Sequence, residues 1–332
     1  MGYSKHVRIA ALAMAVTACL AFSGCGGEKN GAASSISSSS VSWTETLDGK
    51  KETMRVTSVP KHAVSMSQAT TEMLLTLGVE NDMAGTAFKE EEIYKPLQAA
   101  YDKVPVLSNK WPSYEQLMAV KPDFVTGWEV PFTKRGIPAE KIISQGIPIY
   151  VPQSMQSTNA TLDMNFEDMH MYGEIFGVED RANAWIDSQK KKLSEVQAKL
   201  KDLPKVKVFV YDSEDGDPFT VFEGYTTNVL ELVGAENVMS GQGVDKTWAK
   251  TSWENVVKAN PDYFIIVDYG NSIRNTDDFD QKVEKIKANP ILQNVNAVKE
   301  NHFVRVKLSE ITPGVRTVDA LTRIASEIHN TK

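Results

Sequence analysis

Short apolar segments alternate with amphipathic helical segments along most of this 332-residue chain, and a single long helical segment interrupts the alternation. The alternation predicts mostly parallel α/β sheets, because consecutive parallel strands need a crossover connection that is usually a helix. The interruption covers residues 179–203, where apolar side chains recur at helical spacing until Pro204. A helix of this length would span about 37 Å, roughly the diameter of a domain. We therefore predict two α/β lobes joined by one long helix.

The predicted strands and helices fall on both sides of the long helix. Ahead of it, strands are predicted at 62–66, 83–87, 105–107, 123–127 and 147–151, and helices at 70–78, 113–120 and 165–176. Behind it, strands are predicted at 205–212, 263–267 and 302–306, and helices at 227–234, 253–260 and 318–330. An Asp48-Gly49 turn between two β-compatible arms predicts a hairpin over 43–56.

The first 25 residues have the pattern of a targeting segment. A basic head precedes the uncharged apolar run Ile9–Phe22, which is too short to cross a bilayer core of about 30 Å and fits a secretory signal. The sequence LAFSGC that follows resembles a bacterial lipobox, with Cys25 as the lipidated residue and Phe22 where leucine is usual. Ordinary signal cleavage that leaves a spare thiol is one alternative, and an uncleaved membrane anchor is another.

Residues 26–42 are rich in glycine and serine and show no periodicity, which predicts a flexible tether with a reach of roughly 20–25 Å. Loss of Lys5 and Arg8 with the signal would change the formal net charge from −7 to −9. An acidic chain offers no basic surface for nucleic acid and is poorly suited to lying flat on anionic lipid. The predicted organisation is a signal peptide (1–24), a tether (25–42), an N-terminal α/β lobe (43–178), an interlobe helix (179–203) and a C-terminal α/β lobe (204–332).

Two segments 139 residues apart share one pattern. Each is an amphipathic helix that begins with a glutamate, Glu115 or Glu254, and ends at a Pro-Asp pair before a strand. Helix, Pro-Asp and strand in this order are common in α/β proteins, so part of the similarity has a structural explanation. The glutamate at the same position in both segments is not required by this structural pattern, so a shared functional role would explain it.

Taken together, these segments resemble the iron-complex and cobalamin class of periplasmic-type solute-binding proteins, the lipoprotein receptors of ABC importers. The resemblance runs from about Val41 to the C-terminus and is carried by HAVSMSQATTEMLLTLGVENDMAGTA (62–87), SYEQLMAVKPDFVTGWE (113–129), NVLELVGAENV (228–238) and TSWENVVKANPDYFIIV (251–267). It implies a class III periplasmic-binding-protein fold, with ligand held in the cleft between the lobes and limited lobe closure. It also implies that one surface glutamate on each lobe pairs with permease arginines, and these positions correspond to Glu115 and Glu254.

Ligand contacts are expected in loops at the C-terminal ends of the strands, where open α/β sheets form their binding sites. Each aromatic residue there would supply about 150–250 Å² of contact area to a large planar or chelate ligand. The resemblance implies that Trp111, Trp128, Phe219 and Trp248 are cleft aromatics, and that Arg316 matches an arginine before the last helix. The predicted ligand-binding residues are Ser67, Gln68, Trp111, Trp128, Phe219, Tyr225, Trp248, Tyr269 and Arg316.

The basic candidates near these loops are Arg135, Arg274 and Arg316, and a surface position is the alternative interpretation of each. The sequence shows no clear basic triad, which weakens the case for a catecholate siderophore and leaves cobalamin, other corrinoids and haem open. Trp185 and Trp253 lie on amphipathic helices and are predicted to be core residues.

We therefore expect a monomeric, lipid-anchored extracytoplasmic receptor that captures an iron(III)-siderophore or similar metal chelate and delivers it to an ABC permease. A corrinoid or haem receptor of the same fold is the alternative, and a chelate-processing enzyme is the alternative from another class. No GxSxG, HExxH or P-loop motif is present, so we predict no enzyme and no cofactor. We also predict no metal site, because the mature histidines are scattered and both cysteines, Cys19 and Cys25, are N-terminal.

Overall fold

The computed structural model describes residues 40–244, 246–270 and 278–330. The predicted signal peptide, Cys25, nearly all of the predicted tether and Arg274 lie outside the described residues. The strands are β1 (Val41–Leu47), β2 (Lys50–Val56), β3 (Ala63–Ser65), β4 (Met83–Ala87), β5 (Val106–Ser108), β6 (Phe124–Thr126), β7 (Ile149–Tyr150), β8 (Val206–Tyr211), β9 (Ser213–Asp215), β10 (Asp217–Val221), β11 (Ala235–Asn237), β12 (Trp248–Lys250), β13 (Tyr263–Val267) and β14 (Phe303–Val306). The α-helices are α1 (Gln68–Thr76), α2 (Gln98–Tyr101), α3 (Tyr114–Ala119), α4 (Ala139–Ile143), α5 (Gln153–Gln156), α6 (Leu162–Phe176), α7 (Glu179–Leu200), α8 (Tyr225–Glu231), α9 (Trp253–Ala259), α10 (Phe279–Ala288), α11 (Asn296–Lys299), α12 (Leu308–Ile311) and α13 (Thr317–Ile328).

The first lobe is built on a parallel sheet with strand order β5-β4-β3-β6-β7. The antiparallel hairpin β1–β2 lies against it, and its Asp48-Gly49 turn has positive φ at both residues, as a two-residue hairpin turn requires. The Trp43 indole anchors the hairpin by donating a hydrogen bond of 3.0 Å to the carbonyl oxygen of Ile149. The predicted hairpin therefore forms and covers one side of the first sheet.

The second lobe is built on a parallel sheet with strand order β11-β8-β13-β14. Its central strands are buried on both faces, and successive residues of β8 enter two different cores. Val208 and Val210 belong to a core that continues through the first lobe, whereas Phe209 and Tyr211 pack in a second core with Trp253. Both sheets therefore share one continuous apolar core, which fixes the base of any cleft between them.

Helix α7 connects the two sheets along the chain. It runs for 22 residues and packs against α6 on one side and α13 on the other. The preceding helix α6 approaches it closely, because a Cβ atom built on Gly173 would lie 2.7 Å from the Cβ of Ala182. The α/β fold with two mostly parallel sheets and one long connecting helix, predicted from the sequence, is confirmed. None of the helices in the described ranges is both long and apolar enough to cross a membrane.

The small antiparallel sheet β12-β10-β9 and the helix α10 are not among the elements predicted from the sequence. Strands β9 and β10 are three and five residues long and contain Asp, Glu and Pro, which disfavour strands in isolation. Helix α10 does carry an apolar stripe at helical spacing, Phe279, Val283 and Ile286, so its periodicity could have indicated it. These missed elements matter because β10 and β12 carry residues of the cleft.

Candidate functional site

A cavity of about 420 Å³ lies in the cleft where loops of the two lobes meet. A smaller pocket of about 20 Å³ adjoins it and shares four lining residues with it, Trp128, Tyr269, Leu308 and Thr312. The cavity is lined by Trp128, Glu129, Val130, Ser154, Met155, Gln156, Ser157, Thr158, Asp212, Phe219, Tyr225, Thr226, Thr247, Trp248, Tyr269, Leu308, Thr312 and Pro313. The smaller pocket adds Gln68, Ala69, Glu90, Glu91 and Ser309.

The aromatic wall of the second lobe is built by the small sheet that the sequence analysis does not predict. Phe219 on β10 and Trp248 on β12 stack with their ring centroids 6.1 Å apart and their planes at 22°. Trp248 pairs with Val221, two residues beyond Phe219, so the two rings are diagonal neighbours on one face of the sheet. Both side chains are half-buried and line the cavity, as the resemblance implied for cleft aromatics.

An aromatic cluster of the first lobe follows the ends of three parallel strands, and its member Trp128 reaches the cavity. Phe88 follows β4, Trp111 follows β5 and Trp128 follows β6. Phe88 stacks on Trp111 at 4.9 Å and 23°, and its ring meets Trp128 edge-on at 6.5 Å. Trp128 lines the cavity, whereas neither Phe88 nor Trp111 is among the lining residues. Phe88 is missed by the sequence analysis, although its φ of +57° is unusual for a bulky residue.

Two tyrosines of the second lobe line the cavity with their hydroxyl groups hydrogen-bonded away to neighbouring side chains. The Tyr225 hydroxyl donates to Thr317 Oγ1 at 2.9 Å, and the Tyr269 hydroxyl donates to Asp212 Oδ1 at 2.6 Å. The Nζ atom of the buried Lys282 lies 4.7 Å from the centroid of the Tyr269 ring. These contacts fix the orientation of both rings, so each tyrosine presents an apolar ring face to the cavity.

Ser67 and Gln68 open helix α1 and are buried. Ser67 is the N-cap residue of α1, and its side chain accepts a hydrogen bond from the amide of Thr70. Gln68 accepts hydrogen bonds from the amides of Glu90 and Glu91 at 2.8 and 2.9 Å. Gln68 lines the smaller pocket and Ser67 lines neither cavity. The Ser67 side chain therefore caps α1, and the Gln68 side chain holds the loop at Glu90 and Glu91 beside the cleft. Ligand contact by either residue stays a prediction.

Arg316 is buried in a network that joins the two lobes. Its Nε and Nη2 atoms contact the two carboxylate oxygens of Glu72 at 2.8 and 2.5 Å, a bidentate pair. Its Nη1 atom lies 3.2 Å from Glu91 Oε1, and Nη2 also donates to the carbonyl oxygen of Glu92 at 2.7 Å. We call the contacts of Arg316 with Glu72, Glu91 and Glu92 the interlobe tie. Arg316 is not among the residues that line the cleft, and its predicted ligand contact stays a prediction.

Further polar contacts cross between the lobes. The Tyr94 hydroxyl donates to Asp319, and the Ser309 hydroxyl donates to Glu91. At a separate point, the side-chain amide of Asn165 donates to the carbonyl oxygen of Gly314 at 3.0 Å. Sequence reasoning had no signal for these pairs, because their partners are about 150 to 225 residues apart in the chain.

Glu115 and Glu254 occupy matching exposed positions in the two lobes. Each follows a serine N-cap by two residues: Ser113 caps α3 and accepts from Gln116 N, and Ser252 caps α9 and accepts from Asn255 N. Hydrogen bonds from its own amide and from the Ser113 hydroxyl lower the pKa of Glu115. Both glutamates are therefore presented in the first turn of a capped helix, where the helix dipole stabilises negative charge.

The far ends of the two repeated segments also match. Asp123 accepts a hydrogen bond from the amide of His62 at 2.9 Å, and Asp262 accepts one from the amide of Lys207 at 3.3 Å. Each aspartate thereby fixes the start of a central strand, at the residue before β3 in one lobe and at the second residue of β8 in the other. The Pro-Asp part of the repeat has a structural role, so the glutamates are the part left for function.

No group of three or more His, Cys, Asp or Glu side chains in the described ranges is arranged to hold a metal ion. Of the remaining basic candidates, Arg135 is exposed and is not a lining residue of the cleft. The cleft is thus a cavity with aromatic walls, hydroxyl groups and carboxylates. Such a cavity can hold a bulky ligand by contact and hydrogen bonding.

Residues 64–308 match the family model described as "Periplasmic binding protein". This match covers well over half of the chain and includes both sheets. The chain belongs to the periplasmic binding protein family. The resemblance read from the sequence is confirmed, and the protein is a binding protein rather than an enzyme.

Known relatives agree with this membership. The crystal structure of a periplasmic binding protein from Veillonella parvula is 68% identical, with a TM-score of 0.86 over 89% of this chain and 99% of that chain. The ABC transporter substrate-binding lipoprotein YvrC of Bacillus subtilis is 22% identical over 85% of this chain and 84% of its own length. The Fe(3+)-citrate-binding protein YfmC of the same organism is 23% identical over 90% of this chain and 88% of its own.

Proposed function

We propose that this periplasmic binding protein captures a metal chelate in the interlobe cleft and delivers it to the permease of an ABC importer. The observation that carries the proposal is the cavity of about 420 Å³ with aromatic walls from both lobes, a size typical of small-molecule sites. The Bacillus subtilis relative named for Fe(3+)-citrate supports a chelated iron ligand. Corrinoids and haem, which also present broad apolar faces, are the second ligand candidates.

Ligand binding is tested by titrating a form that begins after Cys25 with ferric siderophores, cobalamin and haem while tryptophan fluorescence is followed. Trp128 and Trp248 line the cleft, so a bound chelate is expected to quench their emission. Trp248→Phe should lose part of the quenching, whereas Trp185→Phe, which changes an indole packed against Phe166 on α6, should keep it. No response to any of these compounds would overturn the ligand proposal.

The anchor is the second part of the proposal: lipidated Cys25 and the tether hold lobes 43–178 and 204–332 outside the cytoplasm as a monomer. Support comes from the lipobox-like LAFSGC and from the relative named as a lipoprotein. In cells fed a radiolabelled fatty acid, the wild-type protein should carry label and remain with the membrane fraction. Cys25→Ala should lose both, and label retained in that variant would contradict the assignment.

Permease docking is the third part, and we assign it to Glu115 and Glu254. Their matching positions on capped helices support the assignment, and single exposed ion pairs of about 0–1 kcal/mol would orient the complex more than hold it. The double variant Glu115→Ala with Glu254→Ala should keep ligand affinity and lower uptake. The matched control pair is Glu140→Ala with Glu236→Ala, exposed glutamates on each lobe outside the repeat. Equal uptake by both double variants would rule out the docking role.

A further inference from the structure

Lys282 on helix α10 is a buried lysine beside the cleft that does not itself line the cavity or the smaller pocket. Only 1% of the residue is exposed. Lysine is almost never buried to this degree unless its ammonium is paired, because removing that charge from water is costly. A methionine would fill a similar space without this cost. The contacts of the ammonium are therefore what lysine adds at this position.

The Lys282 ammonium joins two central strands of the second lobe at the point where their pairing ends. The last residue pair between β8 and β13 is Tyr211 with Ile266. The next residues in this register are Asp212 and Val267, and the Nζ atom donates to both of their carbonyl oxygens, at 2.6 Å to that of Val267. The ammonium thus continues the connection between the two strands where the ladder stops.

The two strands that the ammonium joins lead directly into the cavity wall. Asp212 follows β8 and Tyr269 follows β13, and both residues line the cavity. The Tyr269 hydroxyl donates to Asp212 Oδ1 at 2.6 Å, and Lys282 Nζ lies 4.7 Å from the centroid of the Tyr269 ring. A cation at this distance is attracted to the face of an aromatic ring. The ring is therefore held at its hydroxyl group by Asp212 and at its face by Lys282.

Helix α10, which carries Lys282, is itself attached to the end of β13. Asp268 Oδ1 accepts a hydrogen bond from the amide of Phe279 at 3.1 Å, in the first turn of the helix. The neighbouring Val283 packs in the second core beneath the same sheet. The position of the ammonium relative to β13 is thus set by the helix as well as by its own hydrogen bonds.

We infer that Lys282 is a positioning residue for ligand binding, whose ammonium holds Asp212 and Tyr269 in the arrangement that a ligand meets. The inference rests on the proposed function, because it takes the cavity as the ligand site. A wall that is already ordered raises affinity, since less conformational freedom is lost when the ligand binds. Removal of the ammonium should therefore weaken binding even where the fold is kept.

The test replaces the ammonium without changing the length of the side chain. Lys282→Cys is made in the form that begins after Cys25, which contains no other cysteine. The unfolded variant is alkylated with bromoethylamine or with bromopropane and then refolded, which gives side chains of equal length that end in an ammonium or in a methyl group. Unmodified wild type passes through the same steps. Cyanocobalamin, haemin and ferrioxamine B are the probes, titrated by tryptophan fluorescence.

Affinity for the bound probe should fall by about ten-fold or more in the propyl form, as loss of an outer-shell partner does in metal sites. It should return to near the wild-type value in the aminoethyl form. Equal affinity of the two forms would overturn the inference. If the propyl form does not refold, Tyr269→Phe tests the same wall, because it removes the hydrogen bond to Asp212. Unchanged affinity in Tyr269→Phe would then overturn the inference.

Two control variants on α10 separate positioning from a general loss of stability. Val283→Ala weakens packing in the second core and keeps the ammonium, and Lys287→Met removes an exposed lysine that lies over Phe303. Both should keep wild-type affinity. A loss of affinity in Val283→Ala as large as that in the propyl form would show that Lys282 has only a structural role.

Hydrogen exchange without ligand separates failure of this inference from failure of the receptor function. The amides of Asp212 and Asp268 donate to the carbonyl oxygens of Phe219 and Val306, and both should exchange faster in the propyl form than in the aminoethyl form. This result combined with no binding of any probe by wild type would overturn the receptor function and leave the ordering of the wall by Lys282 standing. Equal exchange in the two forms would overturn that ordering.

Discussion

At the scale of single residues, a buried carboxylate supports the cleft from behind. Glu45 on β1 accepts hydrogen bonds from the amide of Val151 at 3.0 Å and from Gln156 Nε2 at 3.2 Å. The neighbouring Asp168, also buried, accepts from the amides of Gln153 and Ser154 at 2.7 and 3.0 Å. These contacts hold helix α5 and the chain around it, which supply five consecutive lining residues of the cavity.

The first prediction is that Glu45 makes stability depend on pH. Burial raises the pKa of Glu45 to about 7 in the folded protein, from about 4.5 in the unfolded chain. The folded state then binds the extra proton between these values, so its free energy of unfolding should fall as pH rises from about 4.5 to 7. The full effect is on the order of 3 kcal/mol, at 1.36 kcal/mol per pKa unit.

Urea unfolding of wild type and Glu45→Gln across pH 4–8 checks this prediction. The pKa of Asp168 is also raised, so Asp168 makes stability fall with rising pH as well. The difference in pH slope between wild type and Glu45→Gln therefore reports the contribution of Glu45 alone. Glu52→Gln is the control, because Glu52 pairs with Glu45 in the hairpin and is only half-buried. If Glu45→Gln shows the same pH slope as wild type, Glu45 is not the titrating group.

At the scale of elements, the sequence predicted those parts whose signal is local. Strands β4 and β13 have the bounds predicted for them, because each is a short apolar run with clear ends. The small sheet β12-β10-β9 had no such signal, since its strands are short and polar and depend on one another for pairing. Five of the nine predicted ligand-binding residues line the cavity, among them Trp128, Phe219 and Trp248, which the resemblance implied as cleft aromatics. Phe219 and Trp248 lie on strands that had no local signal, so periodicity alone would not have found them, and ligand contact by the nine residues stays a prediction.

Phe88 and the interlobe tie could not be predicted in the same way. Phe88 follows β4 without a local motif, and only its ring contacts with Trp111 and Trp128 show its place in the aromatic cluster. Arg316 is 244 residues from Glu72, and nothing in the spacing of either residue points to the other. Contacts of this kind depend on how the two lobes pack against each other. The hydrophobic periodicity of one segment carries no information about that packing.

The second prediction concerns the close packing of α6 on α7. Gly173→Ala would place a Cβ atom 2.7 Å from the Cβ of Ala182 and 3.2 Å from the Cα of Glu179. We expect overpacking to lower the free energy of unfolding by about 1–3 kcal/mol. The better helix propensity of alanine should offset up to about 1 kcal/mol of this loss. Urea unfolding measures the net effect. Adding Ala182→Gly should recover part of the loss, and a stabilised Gly173→Ala variant would contradict the close approach.

At the scale of the whole molecule, the lobes are joined by more than the connecting helix. One apolar core continues from the β1–β2 hairpin through both sheets to α13, and the interlobe tie adds buried charged contacts. The lobes are therefore held together by apolar packing and buried charged contacts as well as by the connecting helix. The limited closure that the resemblance implied stays a prediction.

The third prediction is that the interlobe tie stabilises this arrangement. Arg316→Met would leave Glu72 and Glu91 buried without their guanidinium, at a cost of about 3–5 kcal/mol. Arg323→Met on the same helix removes a partly exposed partner of Glu310 and Glu327 and should cost less than about 1 kcal/mol.

Urea unfolding and hydrogen exchange together check the role of the interlobe tie. Exchange in Arg316→Met should rise at residues 90–94 and 312–319, which the tie holds, and stay low in the core strands β3 and β13. Normal stability and exchange combined with lost ligand binding would show that Arg316 acts as a ligand contact instead.

The register of the β1–β2 hairpin has a mechanical consequence. Val41 and Val56 form the last residue pair at the open end of the hairpin. A pulling force on the chain ahead of Val41 therefore acts on the β1–β2 residue pairs one after another, starting from this end. The first fully buried residues that such a force reaches are Trp43 and Glu45, which are hydrogen-bonded to Ile149 and Val151. Tension on this end of the hairpin would therefore be transmitted to the chain that leads directly into α5, the helix that lines the cavity.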